Sequence, residues 1–564
     1  MKTVWGETLR PECVLQEYPR PQMKRESYVN LNGLWDYAIT DTKQRPTQWQ
    51  GKILVPFSPE TELSGVQKTL MPGQYLWYRR TVVSQGKGRV LLHFGAVDQQ
   101  AEVFVNDRLV GSHVGGFTAF TLELTSVWQE ENEVLVCVRD DTDTSIHSTG
   151  KQRLKHGDIW YPPQSGIWQT VWLEYVPEVY IKQIQIRPLF DEKAVQITVI
   201  SEKNDACAIL FDGRTLEGKT NEPLNVSVKE FHPWSPEEPY LYPFAVQLGE
   251  DRVESYFAMR KVEVKQDAAG VPRIYLNGEA YFMNGLLDQG YWSDGMYTAP
   301  DDEALIYDIK AAKALGFNTL RKHIKIEPMR WYYHCDRLGM LVWQDMPSGG
   351  SEAYKFMTIS APLVTKIHCK DHRYKQFSRM KEESRAQYSK ELWEMIVQLY
   401  NVPSIVLWCP FNEGWGQFDA KKAVDTILEL DDTRLIDHAS GWHDQGIGAF
   451  QSVHSYFVKY RFKKDKKGRA VILSEFGGYN HQVEGHCMTG GNRYRGYKTQ
   501  RALLEQYRKL MLGQILPAKE KGLAAAIYTQ LSDVENEVNG MLTYDRKVVK
   551  LPALEMEQIN GRLR

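Results

Sequence analysis

The sequence predicts a multidomain chain: an N-terminal β jelly roll, an immunoglobulin-like β-sandwich and a C-terminal (β/α)₈ barrel. Three observations carry this. Period-2 strands fill the first half, short apolar strands alternate with helices eight times in the second, and two apolar runs in that second half end abruptly in a glutamate. At 564 residues the chain exceeds one core, since a domain takes about 150 residues on average.

Within the first unit, 1–177, alternating runs such as Val90-Leu91-Leu92-His93-Phe94 and Ala101-Glu102-Val103-Phe104-Val105 are separated by Asn-Asp and glycine-rich turns. A strand with one buried face reads this way. Around Val176-Pro177 a second set begins, and 178–266 has the length of an immunoglobulin-like sandwich. From 267 to 564 the strand candidates are Ala280–Leu286, Thr319–His323, Leu341–Trp343, Ile405–Cys409, Arg434–Asp437, Ser452–Tyr456, Val471–Ser474 and Ala524–Thr529. Helices are expected at Asp301–Leu315, Met329–Leu338, Tyr388–Tyr400 and Ala420–Leu430, the first opened by the acidic turn Asp301-Asp302-Glu303. Two segments exceed ordinary loops: a polar, basic insertion from Asp345 to about Arg385, and the charged run from Lys459 to Arg469.

Composition excludes several classes. Hydrophobic content of 42%, charged content of 25% and a net charge of −2 give no electrostatic case for nucleic acid or membrane partners. The first residues carry no apolar signal segment and no stretch of about 18 apolar residues occurs, so a cytoplasmic protein is expected. Seven dispersed cysteines read as reduced thiols. The dipeptides His334-Cys335, His368-Cys369 and His486-Cys487 are too far apart, and lack the C-x-x-C pattern, for a zinc centre. No metal and no cofactor is expected. Self-association is left open.

The chemistry lies in the glutamates. Ile405-Val406-Leu407-Trp408-Cys409-Pro410-Phe411 ends in Asn412-Glu413-Gly414, and Val471-Ile472-Leu473 ends in Ser474-Glu475-Phe476-Gly477. In a (β/α)₈ barrel such strand ends meet at one mouth. Two carboxylates brought together there are what glycoside hydrolysis needs.

These motifs resemble glycoside hydrolase family 2, the β-galactosidase, β-glucuronidase and β-mannosidase family. The likeness covers nearly the whole chain: Val29-Asn30-Leu31-Asn32-Gly33-Leu34-Trp35-Asp36, Ser165-Gly166-Ile167-Trp168-Gln169-Thr170, Gly316-Phe317-Asn318-Thr319-Leu320-Arg321 and the run from Trp331 to Asp345 all take part. The resemblance implies Glu413 as general acid/base and Glu475 as nucleophile. It also implies Asn412 on the sugar 2-hydroxyl, Arg321 holding Glu475 ionised, and Tyr456 fixing the nucleophile's rotamer. Asp288, His323, Trp343, Asp345, Trp442 and His443 stand at strand ends as further candidates for sugar hydroxyls or stacking.

The sequence also departs from the family. Lys322-His323-Ile324-Lys325 replaces its usual Ser-His-Tyr-Pro after Arg321, and Glu535-Asn536-Glu537 lies where β-glucuronidase relatives place a cation. A neutral terminal sugar, β-galactoside first, is therefore expected in a small glycoside or oligosaccharide cleaved exo-fashion with retention. β-Glucuronidase, β-mannosidase or transglycosylase action with the same glutamates is the alternative, and a non-catalytic carbohydrate-binding protein is the reading from another class.

Overall fold

The computed structural model describes residues 1–350, 354, 356–359, 361–365, 367–488 and 495–564. In the N-terminal region a six-stranded antiparallel sheet, centred on Tyr75–Val83 and Glu131–Arg139, faces a four-stranded sheet containing Arg89–Phe94 and Val171–Val176. Alternation drives this packing. Trp35, Leu76 and Val136 from one sheet meet Leu92, Phe94 and Leu173 from the other in a single dry core. A second sandwich follows, with sheets of three and four strands whose inward residues include Ile184, Ile197, Ile209, Val246 and Phe257.

The hairpin of Pro272–Leu276 and Glu279–Ala280 then closes the floor of the barrel, placing Ile274 and Leu276 against Leu341 and Ile472. Asn277 and Gly278 form its turn, both with positive φ, as an Asn-Gly hairpin requires. Ala280 pairs with Tyr275 across this turn and so belongs to the hairpin, not to the first barrel strand, with which the sequence pattern merges it.

The barrel strands are β1 (Met283–Asp288), β2 (Thr319–Lys322), β3 (Leu341–Asp345), β4 (Ile405–Cys409), β5 (Leu435–Ile436), β6 (Phe450–Ser455), β7 (Ala470–Gly477) and β8 (Leu523–Thr529). They are parallel and pair in the order β5-β4-β3-β2-β1-β8-β7-β6. Only the β5/β6 seam lacks a ladder, and there Ser452 Oγ donates to Asp437 Oδ2 at 2.7 Å. Helices α1 (Asp302–Ala314), α2 (Met329–Leu338), α3 (Glu382–Leu399), α4 (Ala420–Leu430) and α5 (Gln500–Leu510) pack outside. Asp301 caps α1 by accepting from the Glu303 amide. No helix among the described residues is long and apolar enough to cross a membrane.

Candidate active site

At the carboxyl ends of these strands, β7 delivers Glu475 and the β4 loop delivers Glu413. Glu413 has φ of +49°, a conformation few non-glycine residues adopt, and its amide donates to Ser440 O at 2.9 Å. Beyond Glu475, Gly477 has φ of +87° and a Cβ there would lie 2.2 Å from the Tyr528 ring, so only glycine lets β7 end in this way. One carboxylate oxygen of each glutamate and a ring nitrogen of His454 all lie within 4.8 Å of one another.

Arg321, fully buried on β2, organises one side. Its Nη1 donates to Glu475 Oε1 (3.1 Å) and Ser474 O (3.0 Å), its Nη2 to Asn412 Oδ1 (2.8 Å) and its Nε to Asp345 (3.0 Å). Asp345 also holds His323 Nδ1 at 2.9 Å. Burial raises the Asp345 carboxyl, but Arg321 and His323 more than reverse this and hold it low. Tyr456 donates its hydroxyl to Glu475 Oε2. Burial likewise pushes the Glu475 carboxyl up, while His454, Arg321, His323 and the Tyr456 hydrogen bond reverse it and hold it at about 2. Glu475 is thus an anion at neutral pH. Asn412 Nδ2, buried beside it, has no partner among the described residues.

His454 escapes the sequence reading. Its Nδ1 meets Glu413 Oε1 at 2.8 Å and Glu475 Oε2 at 3.5 Å, and its Nε2 meets Ser440 Oγ at 3.0 Å. Ser440 donates onward to Ser474 (2.9 Å), Ser474 lies 2.6 Å from Ser452, and Ser452 donates to Asp437. With the Ser440 proton directed at Ser474, Ser440 accepts from the Nε2–H of the imidazole. A bulge between Val453 and His454 sets His454 opposite Glu475, and nothing in period-2 alternation signals it. Trp442 packs edge-on against the same ring at 5.2 Å.

Three sequence candidates are placed elsewhere. Asp288 is turned outward and pairs with Lys322 at 2.6 Å, because strand alternation sends its neighbours Leu287 and Gln289 to the cleft instead. Trp343 lies deep in the barrel, 1% exposed, its indole donating to Met283 Sδ. His443 accepts from the Cys369 amide and donates to Thr358 O, so it fastens the 345–385 insertion rather than facing sugar. That insertion reaches the rim through Tyr354, stacked 6.4 Å from Trp415; its residues 351–353, 355, 360 and 366 lie outside the described residues.

Residues outside the barrel complete the cleft. Lys151 and Ile159, from the long connection between the N-terminal strands Glu131–Arg139 and Val171–Val176, line it together with His323, Trp415, Phe457 and Glu537. Trp160 tilts against Trp415 at 5.0 Å. Of the acidic pair expected near the last strand, only Glu537 arrives, since Glu535 turns away to accept from the Tyr544 hydroxyl at 3.1 Å. The charged run after β6 does not line the cleft; its Arg469 is bound to Asp444 and Asp465.

Residues 268–556 match the family described as "Glycosyl hydrolases family 2, TIM barrel domain", and residues 179–260 match "Glycosyl hydrolases family 2". A β-galactosidase of Priestia megaterium is 24% identical over 540 residues, covering 88% of this chain and 48% of the relative. A β-glucuronidase of Streptococcus agalactiae is 23% identical over 433 residues, covering 70% and 68%. The chain spans about half the length of the first curated relatives it matches. Among solved structures, a β-D-glucuronidase of Dictyoglomus thermophilum superposes with a TM-score of 0.73 at 18% identity, covering 97% of this chain and 98% of that one.

Proposed function

Because the chain belongs to glycoside hydrolase family 2, we propose that it is an exo-acting retaining β-glycosidase with Glu475 as nucleophile and Glu413 as acid/base. The observation that carries this is the closeness of the two carboxylates, whose nearest oxygens are no more than 4.8 Å apart. Retention needs carboxyl groups about 5–5.5 Å apart, whereas inversion needs room for a water between them, about 6.5–9.5 Å.

Glu475 attacks the anomeric carbon as Glu413 protonates the departing oxygen, giving an α-linked glycosyl ester and a free aglycone. Once esterified, Glu475 carries no charge, and the deprotonated Glu413 then takes a proton from water as that water attacks the same carbon and expels the Glu475 carboxylate, releasing the sugar and restoring both groups. Arg321 and Tyr456 keep the nucleophile ionised and oriented, and Asn412 Nδ2 is free to donate to the sugar 2-hydroxyl. A 2-deoxy-2-fluoro glycoside should label Glu475. Mass spectrometry finding the sugar on another residue would overturn the assignment.

For the sugar itself we favour a neutral β-D-glycoside, a galactoside first. Glu537 in the cleft supports this by repelling an anionic sugar. A uronide is the second reading, favoured by the Lys151 ammonium in the same cleft.

A further inference from the structure

We infer that Glu413, His454 and Glu475 form a site for a borderline transition-metal dication, Zn²⁺ above all, whose binding switches the enzyme off by occupying both carboxylates. The switching-off rests on the glycosidase reading above; the site itself does not. One carboxylate oxygen of each glutamate and a ring nitrogen of His454 lie within 4.8 Å of one another, and no other group of three or more His, Cys, Asp or Glu side chains among the described residues does so. His454 Nδ1 is 2.8 Å from Glu413 Oε1 and 3.5 Å from Glu475 Oε2. Tetrahedral zinc, bonded to N and O at about 2.0–2.1 Å, holds its donors about 3.3 Å apart, so these two gaps bracket the one the ion requires. The ligands come from the β4 loop, β6 and β7, and none of the His-Cys dipeptides takes part.

Each ligand atom is held ready. A metal-binding imidazole gives its other N–H to an outer acceptor, which fixes the tautomer and the ring plane. Here Nε2–H goes to Ser440 Oγ at 3.0 Å, and Ser440, Ser474 and Ser452 continue the chain to the Asp437 carboxylate. That leaves the Nδ1 lone pair of a wholly buried side chain aimed at the glutamates. Arg321 Nη1 ties Glu475 Oε1 and leaves Oε2 toward the imidazole. A carboxylate oxygen has two lone pairs, so the Tyr456 hydrogen bond to Oε2 does not exclude a metal. Two carboxylates cancel the charge of a dication, and the Arg321 charge is already answered by Asp345 at 2.9 Å. Glu413, its side chain 13% exposed, opens the fourth position to cleft water. An imidazole among the donors favours zinc or copper over magnesium and calcium, which take oxygen shells. Glu413 must ligate as a carboxylate, so its proton leaves to solvent as the ion enters, and no electron is transferred.

The test uses the full chain, freed of metal by a chelator, with Zn²⁺ alone and with Co²⁺ as its coloured stand-in. One equivalent of Zn²⁺ should bind, more tightly as the pH rises because protons compete for the ligands, and Mg²⁺ should not displace it. His454→Ala should weaken binding by more than the about 10- to 100-fold that follows loss of an outer-shell partner, and Ser440→Ala, which removes no ligand atom, by an amount within that range. An affinity that changes less than about threefold in both variants overturns the inference. Co²⁺ should give the visible band of a tetrahedral nitrogen–oxygen site; a near-ultraviolet thiolate band would put the ion on Cys13 or Cys487 instead and overturn it too. Zn²⁺ should also block labelling of Glu475 by the fluoro sugar, and the chelator should restore it. Labelling that proceeds at saturating Zn²⁺ overturns the inference alone. Zn²⁺ bound as expected to an enzyme that neither turns over nor labels when metal-free overturns the glycosidase reading, and the metal site stands without it.

Discussion

His454 Nδ1 lies 2.8 Å from Glu413 Oε1 and 3.5 Å from Glu475 Oε2, so a single buried imidazole touches both carboxylates. The serine chain to Asp437 takes up its Nε2–H and fixes the ring plane, so that Nδ1 faces the Glu413 carboxyl and holds it in place. His454→Ala should then lower kcat by about 10²-fold on alkyl glycosides but much less on aryl glycosides with acidic leaving groups. Equal losses across a leaving-group series would show that the ring serves only packing.

Removing the charge on Arg321 should move the acid limb of the kcat/KM profile. Glu475 is held at about 2 against its own burial, partly by this guanidinium. Without it burial weighs more, the carboxyl rises, and Glu475 is protonated at a higher pH. Arg321→Gln should therefore shift the acid limb upward relative to wild type; an unmoved limb would dissociate Arg321 from the ionisation of Glu475.

Glu413→Ala should spare activated aryl glycosides and be rescued by azide, giving a β-glycosyl azide, since the small anion needs no base where the carboxylate stood. Recovery of the α-azide would mean inversion.

Tyr456→Phe removes the hydroxyl that bonds Glu475 Oε2 and also touches Thr529 Oγ1 at 3.0 Å. Loss of one preorganised donor typically costs about 10²- to 10³-fold in kcat. Substrate affinity should change less, as judged from KM and from competitive inhibitor binding.

Trp343→Ala should lower the thermal unfolding midpoint, the buried cavity costing about 3–5 kcal/mol, while KM of the surviving enzyme stays at the wild-type value. A raised KM at unchanged stability would return Trp343 to the sugar site.

What the sequence by itself determined follows from local periodicity. Alternation at period 2 marks the β-sandwiches, the strand–helix repeat marks the barrel, and the abrupt Asn412-Glu413 and Ser474-Glu475 endings point at one mouth because parallel barrel strands all end there. Even Arg321 and Tyr456, named by resemblance, stand within reach of Glu475. Tertiary structure decided the rest. Which of two adjacent strand-end residues faces inward depends on register, so Asp288 and Trp343 are lost from the cleft by a shift of one residue or one layer, and a bulge brings His454 in. Lys151 and Glu537 lie 386 residues apart in the chain. Only the docking of the N-terminal β region on the barrel mouth brings that ammonium to that carboxylate, and no local pattern encodes a contact made across such a separation.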